Sequence, residues 1–216
     1  MPSRSPEIAL TQRDNELLES LTRRIRVLSV DQIHRSWWPD SSTSETTVRR
    51  LRQLEHAGYL DRILLMAHPE SALSDPILIW KSGEPLPNLG SVAWQLQSRW
   101  PEPLISTDCV IATRMAGVFF GGHGGRKPRR AETTHDLHLS AVFLQMRTDS
   151  PERAQSWISE DERKKETGHG EKLPDAIVTD GSRRTAIELG GKSYDREKLE
   201  AFHDFCVASD LDYEIW

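Results

Sequence analysis

Along residues 11–57, apolar side chains recur three and four positions apart, the period of helices with one buried face. Thr11 and Asp14 read as an N-cap and a first-turn acid, and Leu17, Leu18 and Leu21 follow, which predicts a helix over 11–24. Ser29 with Gln32 is a fuller capping box, opening a short helix through Trp38 that Pro39 stops. Ser42 with Glu45 is a third box. Beyond it Val48, Leu51, Leu54 and Ala57 mark one face, and Gly58 closes the helix. Three short helices, the last two joined by a tight serine-containing turn, predict a helix-turn-helix. The period then changes. Residues 59–66 and 77–80 read as strands joined by the polar, proline-bearing loop 67–76, so a β-hairpin wing is expected directly after the third helix.

In the middle, prolines flank 91–100, where Val92, Trp94, Leu96 and Trp100 give an imperfect helical period. Apolar residues at 109–112 and 115–120 lead into GGHGGRKPRR at 121–130. Thr134 caps an expected helix over 135–147, with Leu137, Ala141, Val142 and Leu144 inward. A strand over 154–160 and a charged loop over 161–172 come next. Strands 175–179 and 184–189 follow, joined by the turn Asp180-Gly181-Ser182. A helix over 194–208 and a strand over 212–216 end the pattern. Helix, three strands, helix, strand is an order that builds a mixed sheet, because the later helix can cross over to a parallel strand. The expected class is α+β: a winged helix-turn-helix over 8–81, a connecting region over 82–130, and an α/β domain of αβββαβ order over 131–216.

Composition narrows the partners. A formal charge of −5 excludes a uniformly basic nucleic-acid coat, so any contact with DNA comes from local clusters. Residues 1–66 carry ten arginines and no lysine against nine acids, which surrounds the helices with no strong field. Cys109 and Cys206 form no CxxC, which speaks against a zinc site or disulfide scaffold and fits a reducing cytosol. With no membrane-length apolar run and no signal-peptide core, the expectation is a soluble, cytoplasmic protein without a membrane partner.

Three groups of residues are candidates for chemistry. Off the apolar stripe of the third helix stand Thr43, Thr46, Thr47, Arg49, Arg50 and Gln53, with Arg52 beside them. These side chains can meet base edges and phosphates in a major groove of double-stranded DNA. The alternatives are a solvated helix face or a winged helix used for protein interaction. The cluster Arg126, Lys127, Arg129 and Arg130 is the densest positive group and can clamp a DNA backbone; the alternative is a flexible surface loop. Its glycines lack the GK[ST] of a phosphate loop. His135 and His138 read as an aromatic surface pair rather than metal ligands. In the third group Asp175 and Glu188 lie on adjacent strands, and Lys192 lies four positions after Glu188. Two carboxylates can hold Mg²⁺, with Glu160 and the Leu189 carbonyl completing the shell and Lys192 serving a water or the phosphate. The same residues can equally be solvated strand charges.

The phrase LRQLEHAGYLDR resembles winged helices of many prokaryotic regulators. Pro174-Asp175 and Glu188 are similar to the signature of restriction-endonuclease-like folds, but Gly190 stands where that family has its lysine. Lys192, one pleat further, and Lys198 are the substitutes, and Gly190 and Gly191 can break the strand before either. In order and spacing, the winged helix, THDLHLS, WISEDERKK, LPDAIV and AIELGGKSYDREKLEAFHDF together resemble the replication-relaxation family. The resemblance is weakest over 82–130. It implies DNA transactions of plasmids and other mobile elements, and supplies no catalytic residues to carry over. The displaced lysine favours a homodimeric DNA-binding regulator, or a replication or transfer accessory, with a degenerate nuclease-like domain. A Mg²⁺-dependent nuclease is the alternative, and a protein-interaction adaptor a third.

Overall fold

A computed structural model describes residues 8–71, 73–164 and 173–216. In chain order the elements are α1 (Gln12–Glu19) with a π-helical turn (Ser20–Arg24), β1 (Leu28–Ser29), α2 (Val30–Trp37), α3 (Glu45–His56), β2 (Leu60–Ala67), β3 (Leu78–Trp80), α4 (Leu89–Ser98) and β4 (Ile105–Ala112). Then follow α5 (Arg114–Phe119), α6 (Thr133–Asp149), α7 (Pro151–Gln155), β5 (Ile158–Ser159), α8 (Glu160–Arg163), β6 (Ala176–Asp180), β7 (Arg183–Glu188), α9 (Arg196–Ala208) and β8 (Asp212–Ile215). The fold is α+β with two sheets, and no described helix is long and apolar enough to cross a membrane. The chain divides into two compact units interleaved in sequence, residues 1–67 with 104–144 and residues 68–103 with 145–216.

The first unit begins as the pattern predicts. Thr11 and Asp14 form a reciprocal capping box at α1, and Ser29 and Gln32 form another at α2. The tail of the first helix widens into a π turn, where Ile25 N–H donates to the Ser20 carbonyl. Ser20 and Thr22 hydroxyls donate to the carbonyls of Glu16 and Leu18, the local bonding that loosens a helix ladder. Strand order in its sheet is β1-β4-β2, all antiparallel. Val27, Leu65, Ala67, Cys109, Ile111 and Leu137 pack together beneath it. Burial, then the charge of Asp108, raises the Cys109 thiol to about 12.

The expected hairpin between 59–66 and 77–80 does not form. β2 pairs along its whole length with β4, from Leu60 opposite Ala112 to Ala67 opposite Ile105. β3 instead pairs with β8 in the second unit, where Trp80 stacks on Tyr213 at 5.1 Å and is buried with Phe202 and Ile215. Matched strand length and the demand of a large indole for a core outweigh proximity in sequence.

The second unit holds a five-stranded sheet, order β3-β8-β7-β6-β5, with β7 and β8 parallel and the other pairs antiparallel. α9 is the crossover between the parallel pair, as its position in the sequence predicts. Gly181, at φ 59°, makes the turn between β6 and β7. The strand expected over 154–160 shrinks to two residues because Pro151 starts α7, a helix-favouring first-turn position, and Glu160 starts α8. Of the loop expected over 161–172, residues 161–163 are helical and 165–172 lie outside the described residues, as do residues 1–7 of the expected N-terminal lead.

Candidate functional site

α3 begins at Glu45 behind Ser44, whose side chain makes no capping bond, so the box expected from Ser42 is not formed. Leu51 and Leu54 are fully buried, and Thr47 joins them on the same face. Thr47 is therefore removed from the candidate DNA-contacting set. It lies four positions before Leu51, and its hydroxyl sits 3.0 Å from His34 Nδ1 inside the packing between α2 and α3. Thr43, Thr46, Arg49 and Gln53 are exposed as expected, and so are Arg52 and His56. His56 was missed by the sequence pattern; its register, seven positions after Arg49, was the available signal.

Arg50 is also corrected. Its Nε and Nη2 donate to the two carboxylate oxygens of Asp14 at 3.0 and 2.5 Å, its Nη2 also donates to the Ala9 carbonyl, and its Nη1 donates to Gln53 Oε1. Asp14 is 1% exposed. Burial pushes the Asp14 carboxyl up, but hydrogen bonds from Arg50 and Thr11 and the Arg50 charge outweigh it, and the pKa falls below the ordinary value of 3.8. The pair ties α3 to the start of α1, so Arg50 anchors the helix instead of reaching outward.

In the loop 121–130 the glycine half is tied to neighbouring backbone. His123 N–H donates to the Thr22 carbonyl at 2.7 Å and Gly125 N–H to the Ala112 carbonyl at 2.7 Å. A Cβ on Gly122 would lie 2.4 Å from the Thr22 oxygen, and one on Gly124 would lie 1.9 Å from the Thr113 oxygen. Glycine is required there because two backbones touch. Past this clamp Lys127, Arg129 and Arg130 are exposed and Arg126 is half-buried. His138 is buried and its Nδ1 lies 2.8 Å from the Thr134 carbonyl, so the surface pair with His135 does not exist.

In the second unit β6 and β7 bring Asp175 and Glu188 side by side. Asp175 N–H donates to Glu188 Oε2 at 3.3 Å, and Leu189 N–H donates to Asp175 Oδ2 at 2.8 Å. Glu188 is 2% exposed, and its Oε1 accepts from the Tyr194 hydroxyl at 2.5 Å. Burial, then the charges of Glu188 and Asp175, push the Tyr194 phenol far up, holding it as a donor. Glu160 N–H donates to the Asp175 carbonyl, while the Glu160 carboxylate pairs with Lys164 at 2.8 Å.

Lys192 is exposed and makes no described hydrogen bond or ion pair with either carboxylate. Lys198 donates to the Ser193 carbonyl and lies 5.8 Å from the Tyr194 ring. Neither ammonium has a described bond to Asp175 or Glu188. At position 190 a Cβ would lie 2.4 and 2.5 Å from the two methyls of Leu96 on α4. The space into which a lysine stem would grow is filled by leucine.

Backbone N–H groups reach Glu188 Oε2 and Asp175 Oδ2, and the Tyr194 phenol reaches Glu188 Oε1; among the described residues no group of three or more His, Cys, Asp or Glu is arranged to hold a metal. The Glu160 charge also bears on the Tyr194 phenol, after those of Glu188 and Asp175. Comparisons with protein families, curated proteins and solved structures found no match.

Proposed function

We infer that the chain is a double-stranded DNA-binding protein of a plasmid or other mobile element, a regulator or an accessory of replication or transfer. The observation that carries this reading is the arrangement of the first unit, in which residues 38–44 join α2 to α3 and β2, directly after α3, pairs antiparallel with β4. Strand order β1-β4-β2 is what a winged helix-turn-helix has, with β2 and β4 as the wing strands and residues 68–103 inserted between them. α3 then serves as the recognition helix, offering Thr46, Arg49, Arg52, Gln53 and His56 to a major groove, with Thr43 in the turn before it. A homodimer on paired half-sites is the natural assembly for such a helix. The resemblance to the replication-relaxation family supports the same assignment.

The second unit, with β5, β6, β7, the α9 crossover and β8, is read as a restriction-endonuclease-like sheet that no longer cuts. Leu96 in the place of a lysine stem and the Tyr194 hydroxyl on Glu188 support that reading. In a gel shift with origin or promoter DNA, Arg49→Ala with Arg52→Ala is expected to abolish retention, and Glu188→Ala to leave it in place. Unchanged retention in the double arginine variant sinks the DNA-binding assignment. Plasmid DNA incubated with the wild-type chain and Mg²⁺ is expected to stay supercoiled; nicking that disappears in Asp175→Ala would restore the nuclease reading.

A further inference from the structure

α5 is apolar on its outer side. Met115, Val118 and Phe119 stand at i, i+3 and i+4 and are 48%, 84% and 65% exposed, while Ala116 and Gly117 face inward. The Phe119 ring is steadied by Tyr59 at 6.0 Å and 77° and by Phe120 at 5.1 Å and 64°. Against the inner side runs the glycine clamp: a Cβ on Gly117 would lie 2.7 Å from Gly124 N, and one on Gly125 would lie 2.7 Å from Arg114 Cγ. The cations that follow Gly125 therefore leave from a backbone fixed against this helix. Between Asp108 and Glu132 the sequence holds Arg114, Arg126, Lys127, Arg129 and Arg130 and no acid, within a chain of net charge −5, and Glu132 at the edge of this run lies 3.6 Å from Arg129.

We propose that α5 and the 121–130 loop form a binding site for single-stranded nucleic acid, with Phe119 stacked on an unpaired base and the exposed Lys127, Arg129 and Arg130 on the phosphates. Aromatic rings on which bases stack, combined with cations along the phosphate backbone, are what such binding uses, and it needs no base-edge readout. A duplex keeps its base faces stacked inside and offers Phe119 nothing but backbone. A second copy docked on the same patch about a two-fold axis would set five cations against five. A six-residue helix offers a lipid surface only a short apolar face.

The site shares no residue with the outward face of α3, so the two assignments fail separately. Fluorescence anisotropy of the full chain with a labelled oligothymidylate, and in parallel with a duplex, reads both. Phe119→Ala and Phe119→Leu are expected to weaken oligothymidylate binding about 5- to 100-fold, the value of one stacked base, and Phe119→Tyr to keep it. Lys127→Gln with Arg129→Gln should flatten the salt dependence by about 0.7 in log–log slope for each phosphate that is no longer neutralised. Duplex binding should be unchanged in the Phe119 variants, and oligothymidylate binding unchanged in Arg49→Ala with Arg52→Ala. No affinity of the wild-type chain for oligothymidylate, or equal affinity in Phe119→Ala and Phe119→Leu, overturns the proposal. So does a Phe119-dependent dimer in sedimentation, or Phe119-dependent flotation with phosphatidylserine vesicles, in the absence of oligothymidylate binding.

Discussion

Asp14 serves two partners at once, and its neighbours in the sequence reveal only one. Thr11, three positions away, identifies it as half of a capping box; Arg50, 36 positions away, is visible only when α3 packs. Arg50→Ala leaves a buried carboxylate without its cation and should cost roughly 3 kcal/mol, read as a lowered midpoint in urea unfolding. The sign of the pH effect follows from the depressed carboxyl. Its contribution is fully present above the unfolded value near 3.8 and is lost as the pH falls through the lower folded value. Melts between pH 5 and pH 2 should show this acid limb in the wild type and a smaller one in Asp14→Asn, which starts from a lower midpoint at pH 7. Tyr194 is a comparable case in the second unit. Tyr194→Phe removes the donor to Glu188 Oε1 and should cost about 1–3 kcal/mol. A melting temperature unchanged in Tyr194→Phe would show that water replaces the phenol without penalty.

At the scale of elements, periodicity and capping chemistry made much of the fold legible. The boxes at α1 and α2, the Gly181 turn and the α9 crossover all stand where the residues place them, because each rests on contacts between near neighbours. Strand partnership was not legible. A run such as 77–80 states that it is a strand, and says nothing of which edge it will join. The candidate site divided the same way. The adjacency of Asp175 and Glu188 followed from a hairpin, whereas the filling of position 190 depends on α4, almost a hundred positions earlier in the chain. Gly190→Ala should destabilise the second unit by about 1–3 kcal/mol through overpacking, and Leu96→Ala in the same chain should recover part of that loss. Additive penalties in the double variant would mean that the two positions do not share this space. The glycines of 121–125 mark close approach, which the sequence does not distinguish from freedom: Gly122 and Gly124 admit a neighbouring backbone that any Cβ would displace.

For the whole molecule, interleaving sets which pieces can stand alone. A fragment cut at residue 81 keeps β2 and loses β4, the strand that pairs with it over eight positions and also carries β1. Such a fragment is expected to give a collapsed amide spectrum in NMR. A chain in which a flexible linker replaces 68–103 should keep the dispersion of the first unit. A well-dispersed spectrum from 1–81 would show that the helices hold without their sheet. The same excision takes β3 and α4 from the second unit, along with the leucine over position 190.

β3 has a particular place in time. Leu78 pairs with Ile215, and most of the chain lies between them. During synthesis β3 is made early and waits for a partner made late, so Ile79 and Trp80 spend that interval as an unsatisfied strand edge. Closure of the second sheet is therefore a slow, long-loop event, and the yield of folded protein should fall more steeply with concentration and temperature during refolding than its equilibrium stability implies.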